Sequence, residues 1–475
     1  MDCSYSIRAK CVANPIMIMG CSSDAGKSFL VTALCRHFAN RGVHVAPFKA
    51  QNMSNNAAVT PDGAEIGRAQ YLQALAARTA PQARMNPVLL KPSADTESQV
   101  IVMGRADPTI SALPWLERQP RLWPIVREAL HSLRRDYEQV VIEGGGSPAE
   151  INLRASDIVN MRIAHECQAQ VYLVADIDRG GAFAHLLGTW HCLEPEEQAL
   201  VKGFILNKFR GDPALLGNAM DWLYEHTGIP TVALIPMVHH ALPEEDTLHH
   251  QAHPEPQQIN LALVVYPYAS NLDEFDPLVH TPGVSVVPLR SCTRLDGYHA
   301  ILLPGSKNTV ASLRYLRQSG LAAEINRAAQ RGVPILGICG GLQLLGREIH
   351  DPHHIESGDC SGLGLLDLAT MLVPHKTTRQ REVLWQETPV CGYEIHHGQT
   401  QAGEGVHMYL PDDLGWYQDN VYGVYLHGLF ENAAYRQQFL ERLGWQGQTT
   451  AAWSTIVEAS LDRVARLIDE AGWVV

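Results

Sequence analysis

Ile335-Leu336-Gly337-Ile338-Cys339-Gly340-Gly341-Leu342-Gln343-Leu344-Leu345-Gly346 reads as a buried strand, a sharp turn and the start of a helix. Val333 to Ile338 is apolar enough for the middle of a parallel sheet. Glycines stand on both sides of Cys339, and glycine is what a strained turn needs. This is the G-x-C-x-G form of a nucleophile elbow. At a helix N-terminus the dipole and the free N–H groups favour thiolate over thiol. Cys339 is therefore a candidate nucleophile, set against the plainer reading of an inert Cys in a Gly-rich turn.

The flanking sequence adds partners. Ala300-Ile301-Leu302-Leu303 is a strand running into Pro304-Gly305-Ser306-Lys307-Asn308. A backbone N–H at Gly305, with that of Gly340, would make a two-donor oxyanion hole. A helix is expected broadly over Ser312 to Arg331. Val421 to Leu426 is an apolar strand that delivers His427, followed by Gly428-Leu429-Phe430. A His at a strand end, far in sequence from the Cys, is what a Cys–His couple needs. With 22 His in the chain a lone one proves little. His396 and His397, in Gly392-Tyr393-Glu394-Ile395-His396-His397-Gly398, are rival bases. His427 is preferred because a long apolar strand fixes its position.

The first half has a different organising motif. The apolar strand Pro15 to Met19 leads into Gly20-Cys21-Ser22-Ser23-Asp24-Ala25-Gly26-Lys27-Ser28 and a helical run through Phe38. That is the context of a phosphate-binding loop, although five residues rather than four separate Gly20 from Gly26. Backbone N–H groups cradle phosphates, Lys27 reaches the terminal ones, and Ser28 can hold Mg²⁺. A second strand, Val43 to Phe48, ends at Lys49 and is followed by the polar cluster Gln51, Asn52, Asn55 and Asn56. Such a cluster lies where open α/β sheets bind ligands, or is an Asn-rich turn. Val140 to Ile142 closes on Glu143, placed for Mg²⁺ or the γ-phosphate. Ala169 to Ala175 leads to Asp176 and Asp178, read as metal-directed or as helix caps. Val201 to Leu206 ends at Asn207, which reads a purine edge or makes a turn. Thr231 to Ile235 is a sixth strand. Strands alternating with helical runs mean a parallel sheet with helices on both faces.

Composition narrows the class. The 475 residues suffice for roughly three domains. A net charge of −13 argues against non-specific nucleic-acid binding. Ten scattered Cys show no zinc spacing, which with a catalytic Cys points to a reducing cytoplasm. Arg8 and Lys10 precede no long apolar region, and no stretch approaches a membrane span. The expected layout is a first domain over 14–240, a polar, His- and Pro-containing linker over 241–258, a second domain over 259–448, and a helical segment over 449–475.

With those motifs in place, the second half resembles the class I glutamine amidotransferases, through the elbow at Cys339 and Tyr425-Leu426-His427-Gly428. The first half resembles the dethiobiotin-synthetase-like ATP-dependent ligases with their longer loop. The ordered set is similar to the cobyric acid synthase family. It comprises Gly20–Ser28, Lys49–Asn56, Glu143–Asn152, Asp176–Gly181 and Asn207–Asp212. The resemblance implies an α/β fold of two doubly wound, mostly parallel-sheet domains: P-loop NTPase-like, then flavodoxin-like glutaminase. It implies a ligase that uses glutamine, ATP and Mg²⁺ to amidate four carboxylates of a small-molecule corrinoid. ATP would lie on Gly20, Asp24, Ala25, Gly26, Lys27, Ser28, Lys49 and Asn207; Mg²⁺ on Ser28 and Glu143. Gln51, Asn52, Asn55 and Asn56 are candidate substrate contacts. Many class I glutaminases carry a Glu two residues after the His, and here that position is Leu429. A Cys339–His427 dyad is expected, oriented by a backbone group or another side chain, Glu394 being one candidate. The rivals are the a,c-diamide synthases, a P-loop regulatory ATPase with a glutaminase-like binding module, and an amidotransferase of cell-wall lipid precursors. The Asn-rich 51–56 segment, the intact Cys–His pair and the fused order argue against each in turn.

Overall fold

The computed structural model describes residues 13–92, 98–243, 254–255, 257–291, 294–448 and 451–474. The first half is built on six strands. Their spatial order is Thr231–Pro236, Val201–Phe209, Gln170–Asp176, Ile16–Gly20, Gln139–Glu143 and Val45–Phe48. Every adjacent pair is parallel. Such strands are short apolar runs because helices cover both faces of the sheet. The helix Lys27–Asn40 leaves the central strand directly after the Gly-rich loop. The polar cluster after Lys49 is not simply a turn: Gln51–Met53 is a strand, paired in parallel with Val88–Leu90 in a small sheet beside the main one.

Seven strands carry the second half, in the order Val284–Leu289, Ile259–Val264, Ala300–Leu303, Ile335–Ile338, Val421–Val424, Gly415–Gln418 and His407–Leu410. The first five run parallel and the last two antiparallel, so the sheet is mostly parallel, as expected. The single helix expected over 312–331 is two, Thr309–Gln318 and Leu321–Gln330. Gly320 between them has φ 79°, the left-handed conformation that ends a helix. A long hairpin, Leu368–Trp385 with Thr388–Ala402, reaches out of this half onto the first. There the Thr378 hydroxyl donates to the Gly63 carbonyl at 2.9 Å, and Gln380 Nε2 to the Val59 carbonyl at 2.9 Å.

Most of the expected linker, including His249, His250 and His253, lies outside the described residues. Its first residues are not linker-like: Ala241 and Leu242 are buried in one core with the helix Trp453–Glu470. That helix packs Val457, Leu461, Val464 and Ile468 against Leu30, Leu34 and Phe38 of the first half. Arg36, buried in the contact, pairs with Glu458 and, at 2.7 Å, with Asp462. Among the described residues no helix is long and apolar enough to cross a membrane.

Candidate active site

Cys339 sits between the strand Ile335–Ile338 and the helix Gly340–Leu345 with φ 52° and ψ −104°. The strained residue is thus the cysteine itself, a φ that non-glycine residues rarely adopt and that marks functional sites. Gly337 and Gly341 are needed for a different reason, close packing. A Cβ on Gly341 would lie 2.1 Å from the Leu303 carbonyl, and one on Gly337 2.5 Å from Gly341. The turn is pinned by a 2.7 Å bond from the Cys339 N–H to the Val424 carbonyl, the strand that carries His427.

His427 is buried and lines the same pocket as Cys339, whose thiol points to the Ile395 carbonyl at 3.7 Å. Its Nδ1 lies 3.3 Å from both carboxylate oxygens of Glu274, which leaves Nε2 to serve the cysteine. The ring is stacked on Tyr393, 5.2 Å between centroids, and its backbone is bridged to the same residue. Burial alone would lower its pKa, but the Glu274 carboxylate and Cys339 outweigh burial and push it up to about 10. The orienting acid is therefore Glu274, from the turn Leu272–Phe275, and not Glu394. Glu394 bonds instead to His396 at 3.1 Å and Arg379 at 2.6 Å. The rival bases are also engaged elsewhere: His396 stacks on Tyr425, and His397 bonds to Val373 and Gln99. Sequence spacing offered no signal for Glu274, which stands 153 residues before the histidine. A cysteine facing a histidine held protonated is arranged as a thiolate–imidazolium couple for acyl transfer. Gly305 and Gly340 pack close beside it: a Cβ on Gly305 would lie 3.2 Å from the His427 ring, and one on Gly340 2.5 Å from the Ser306 nitrogen. Ser306 itself lines the pocket.

The Gly-rich loop opens on a cavity of about 1890 Å³. Asp24 and Gly26 bend the loop with φ 56° and 95°. The Lys27 ammonium reaches back to the Ser22 and Gly146 carbonyls. Ser28 donates to Glu143 at 2.8 Å, and Lys49 pairs with the same oxygen at 2.8 Å. Burial would raise the Glu143 pKa; Lys49, Gln73 and Ser28 overcome it and hold the carboxylate below its ordinary range. Two adjoining oxygens, one a buried carboxylate already matched to a cation, fit a Mg²⁺ ion that draws its remaining ligands from phosphate and water. Asn207 donates to the Ala25 carbonyl at 2.9 Å and so braces the loop from below. Asp176 is ion-paired with Lys208 at 3.0 Å, and Asp178 with Arg210 at 3.2 Å.

The four polar residues after Lys49 divide. Asn52 is held by Gln70 at 3.0 Å, and Asn56 accepts from the Asn271 N–H at 2.7 Å. Gln51 and Asn55 each keep a buried side-chain oxygen without a partner among the described residues, and both line the cavity. The turn that carries Asn271 separates two sites. Ser270 and Asn271 line the Cys339 pocket, while Ala269, Leu272 and Asp273 line the large cavity.

Comparison with known proteins fits this pairing. Residues 16–247 match the model of the CobQ/CobB/MinD/ParA nucleotide binding domain. Residues 260–435 match that of the CobB/CobQ-like glutamine amidotransferase domain. The cobyric acid synthase of Deinococcus radiodurans is 54% identical over 466 residues, which cover 94% of this chain and 97% of the relative. That of Paracidovorax citrulli is 50% identical, covering 97% of each chain. That of Variovorax paradoxus is 51% identical, covering 88% and 91%.

Proposed function

The chain belongs to the cobyric acid synthase family, glutamine-hydrolysing amidating ligases, and from that premise we propose its substrate and the roles of its residues. The acceptor is adenosylcobyrinic acid a,c-diamide, amidated at its b, d, e and g carboxylates at the expense of one ATP each. The product is adenosylcobyric acid, on the route to cobalamin. The observation that carries this reading is the shared turn at 269–273, which backs a Cys–His–Glu pocket onto the cavity of a phosphate-binding loop. Ammonia released on one side is needed on the other.

The Cys339 thiolate attacks the glutamine carboxamide carbon, and the oxyanion is held by the N–H groups of Gly305 and Gly340. The His427 imidazolium, steadied by Glu274, gives its proton to the departing nitrogen and the C–N bond breaks. Water then adds to the thioester, His427 takes its proton, and glutamate leaves as the thiolate returns. Across the wall a carboxylate oxygen of the corrinoid attacks the γ-phosphorus of ATP and ADP departs. The acyl phosphate supplies the leaving group that a bare carboxylate lacks. Lys27 and Lys49 stabilise charge on the transferring phosphoryl group. Ser28 and Glu143 would hold Mg²⁺, which supplies charge neutralisation between the phosphates. Ammonia attacks the acyl carbon, phosphate leaves, and the nitrogen loses a proton. Gln51 and Asn55 offer their open oxygens to the acceptor.

Mass spectrometry of cobyrinic acid a,c-diamide incubated with the protein, glutamine and Mg·ATP tests this reading. Stepwise replacement of four hydroxyls by amino groups is expected. Glutamine hydrolysis without any change in the corrinoid would reject this acceptor and keep the ligase.

A further inference from the structure

We propose that Lys307, flanked by Lys91 and Lys376, seats the α-carboxylate of the amino-acid nitrogen donor, in a pocket that both halves of the chain build together. The proposal rests on the glutaminase reading of Cys339 and deepens it.

All three ammonium groups line the Cys339 pocket. Lys91 comes from the first half, in the strand Val88–Pro92, and Lys376 from the long hairpin. Lys307 follows the Gly305 turn. One carboxylate, Glu65, serves two of them: its oxygens lie 2.9 Å from Lys91 and 2.6 Å from Lys376. Lys307 has only a neutral partner in the hydrogen bonds it makes, Gln99 Oε1 at 2.8 Å. Among the described residues no carboxylate pairs with it. Glu356, the one acid among the described residues that line the pocket, is committed to the backbone N–H groups of Thr309, at 2.6 Å, and Val310, at 3.3 Å. Three lysines therefore face two engaged carboxylates, and positive charge is in excess.

Burial and the two neighbouring lysines press the Lys307 ammonium down to about 7, against the pull of Glu65 and Glu356. A fold gains nothing from a half-buried cation without a counter-ion. A carboxylate arriving with the substrate would supply one. Glutamine offers one such group, its α-carboxylate, at the far end from the carboxamide that must reach Cys339. Glutamine within a peptide lacks it, so the lysines would restrict the pocket to the free amino acid. Gln99, which holds Lys307, and Lys91 both come from the first half, so this selectivity depends on the two halves being docked.

The test compares glutamine with 4-aminobutanamide, which keeps the carboxamide and the amine but lacks the carboxylate. Hydrolysis of each is followed with the full-length chain, Lys307→Met and Lys91→Met. The wild type should strongly prefer glutamine. Lys307→Met should raise KM for glutamine about ten- to a hundredfold, with much less effect on kcat or on 4-aminobutanamide. Its melting temperature should not fall, because the substitution removes a poorly compensated buried charge. Lys91→Met should move the same ratio in the same direction by a smaller factor. Equal losses on both substrates, or a lowered melting temperature, would make Lys307 a structural residue. An unchanged KM would place the carboxylate elsewhere. A wild type that hydrolyses neither amide would overturn the glutaminase reading and the seat with it.

Discussion

Glu274 decides how the cysteine is used. Its carboxylate is the main influence that raises the buried His427 above the ordinary imidazole range. The imidazolium is thus present below about pH 10 and lost as pH rises through that value. Glu274→Gln removes this support and leaves the ring a neutral partner. Glutamine-driven kcat should fall about tenfold or more, and the alkaline limb of its pH profile should move to lower pH. Ammonia-driven amidation, measured in parallel, should keep its pH dependence. Cys339→Ala should abolish glutamine use and retain ammonia-driven amidation, whereas Lys27→Ala should lose product from either donor. A Cys339→Ala chain inactive with both would refute the division of labour. Cys339 and His427 are legible in the sequence because each ends an apolar strand and is followed by glycine. Glu274 is not, because it sits in a one-turn helix with no periodic pattern. Glu394 draws attention only through its closeness to His396, which it does bond.

The turn Leu272–Phe275 and its approach work as one element with three attachments. Asn271, at φ 55°, accepts from the Ala57 N–H at 3.0 Å and donates to the Tyr393 hydroxyl at 3.1 Å. Asp273 pairs with Arg68 of the first half at 2.6 Å, and Glu274 holds the catalytic ring. Asn271→Gly keeps the backbone conformation while deleting the side-chain bonds. It should cost about 1–3 kcal/mol of stability, read by denaturant unfolding. It should also lower glutamine-driven turnover more than ammonia-driven turnover, because Glu274 loses its anchor. Equal effects on both rates would mean that the element only glues the halves together. The six strands of the first sheet and the central strands of the second are legible as apolar runs with the right spacing, whereas Val284–Leu289, Gly415–Gln418 and His407–Leu410 at the edges of the second are not. The hairpin 368–402 is not, since its strands alternate weakly and mix exposed with half-buried positions. The break at Gly320 escapes as well, because an amphipathic pattern runs on either side of it.

At the scale of the molecule the two halves are not beads on a string. The hairpin of the second lies on the first, and the helix Trp453–Glu470 returns to cover Lys27–Asn40. Deleting residues 449–475 should expose Leu30, Leu34 and Phe38 and strip the buried Arg36 of both its carboxylates. Fully burying a Leu or Phe side chain is worth about 1.5–3 kcal/mol, so the truncated first half should melt well below the intact one in calorimetry. An unshifted transition would show the helix to be an ornament. Chain order gives this packing a consequence in time. The surface that carries the phosphate-binding helix is translated more than 400 residues before its cover. At about 5–20 residues per second, a nascent first half waits roughly 10–40 s with that face bare. Until the helix Trp453–Glu470 has been made, Leu30, Leu34 and Phe38 have no cover from it, and the first half is left with an apolar face open to wrong partners.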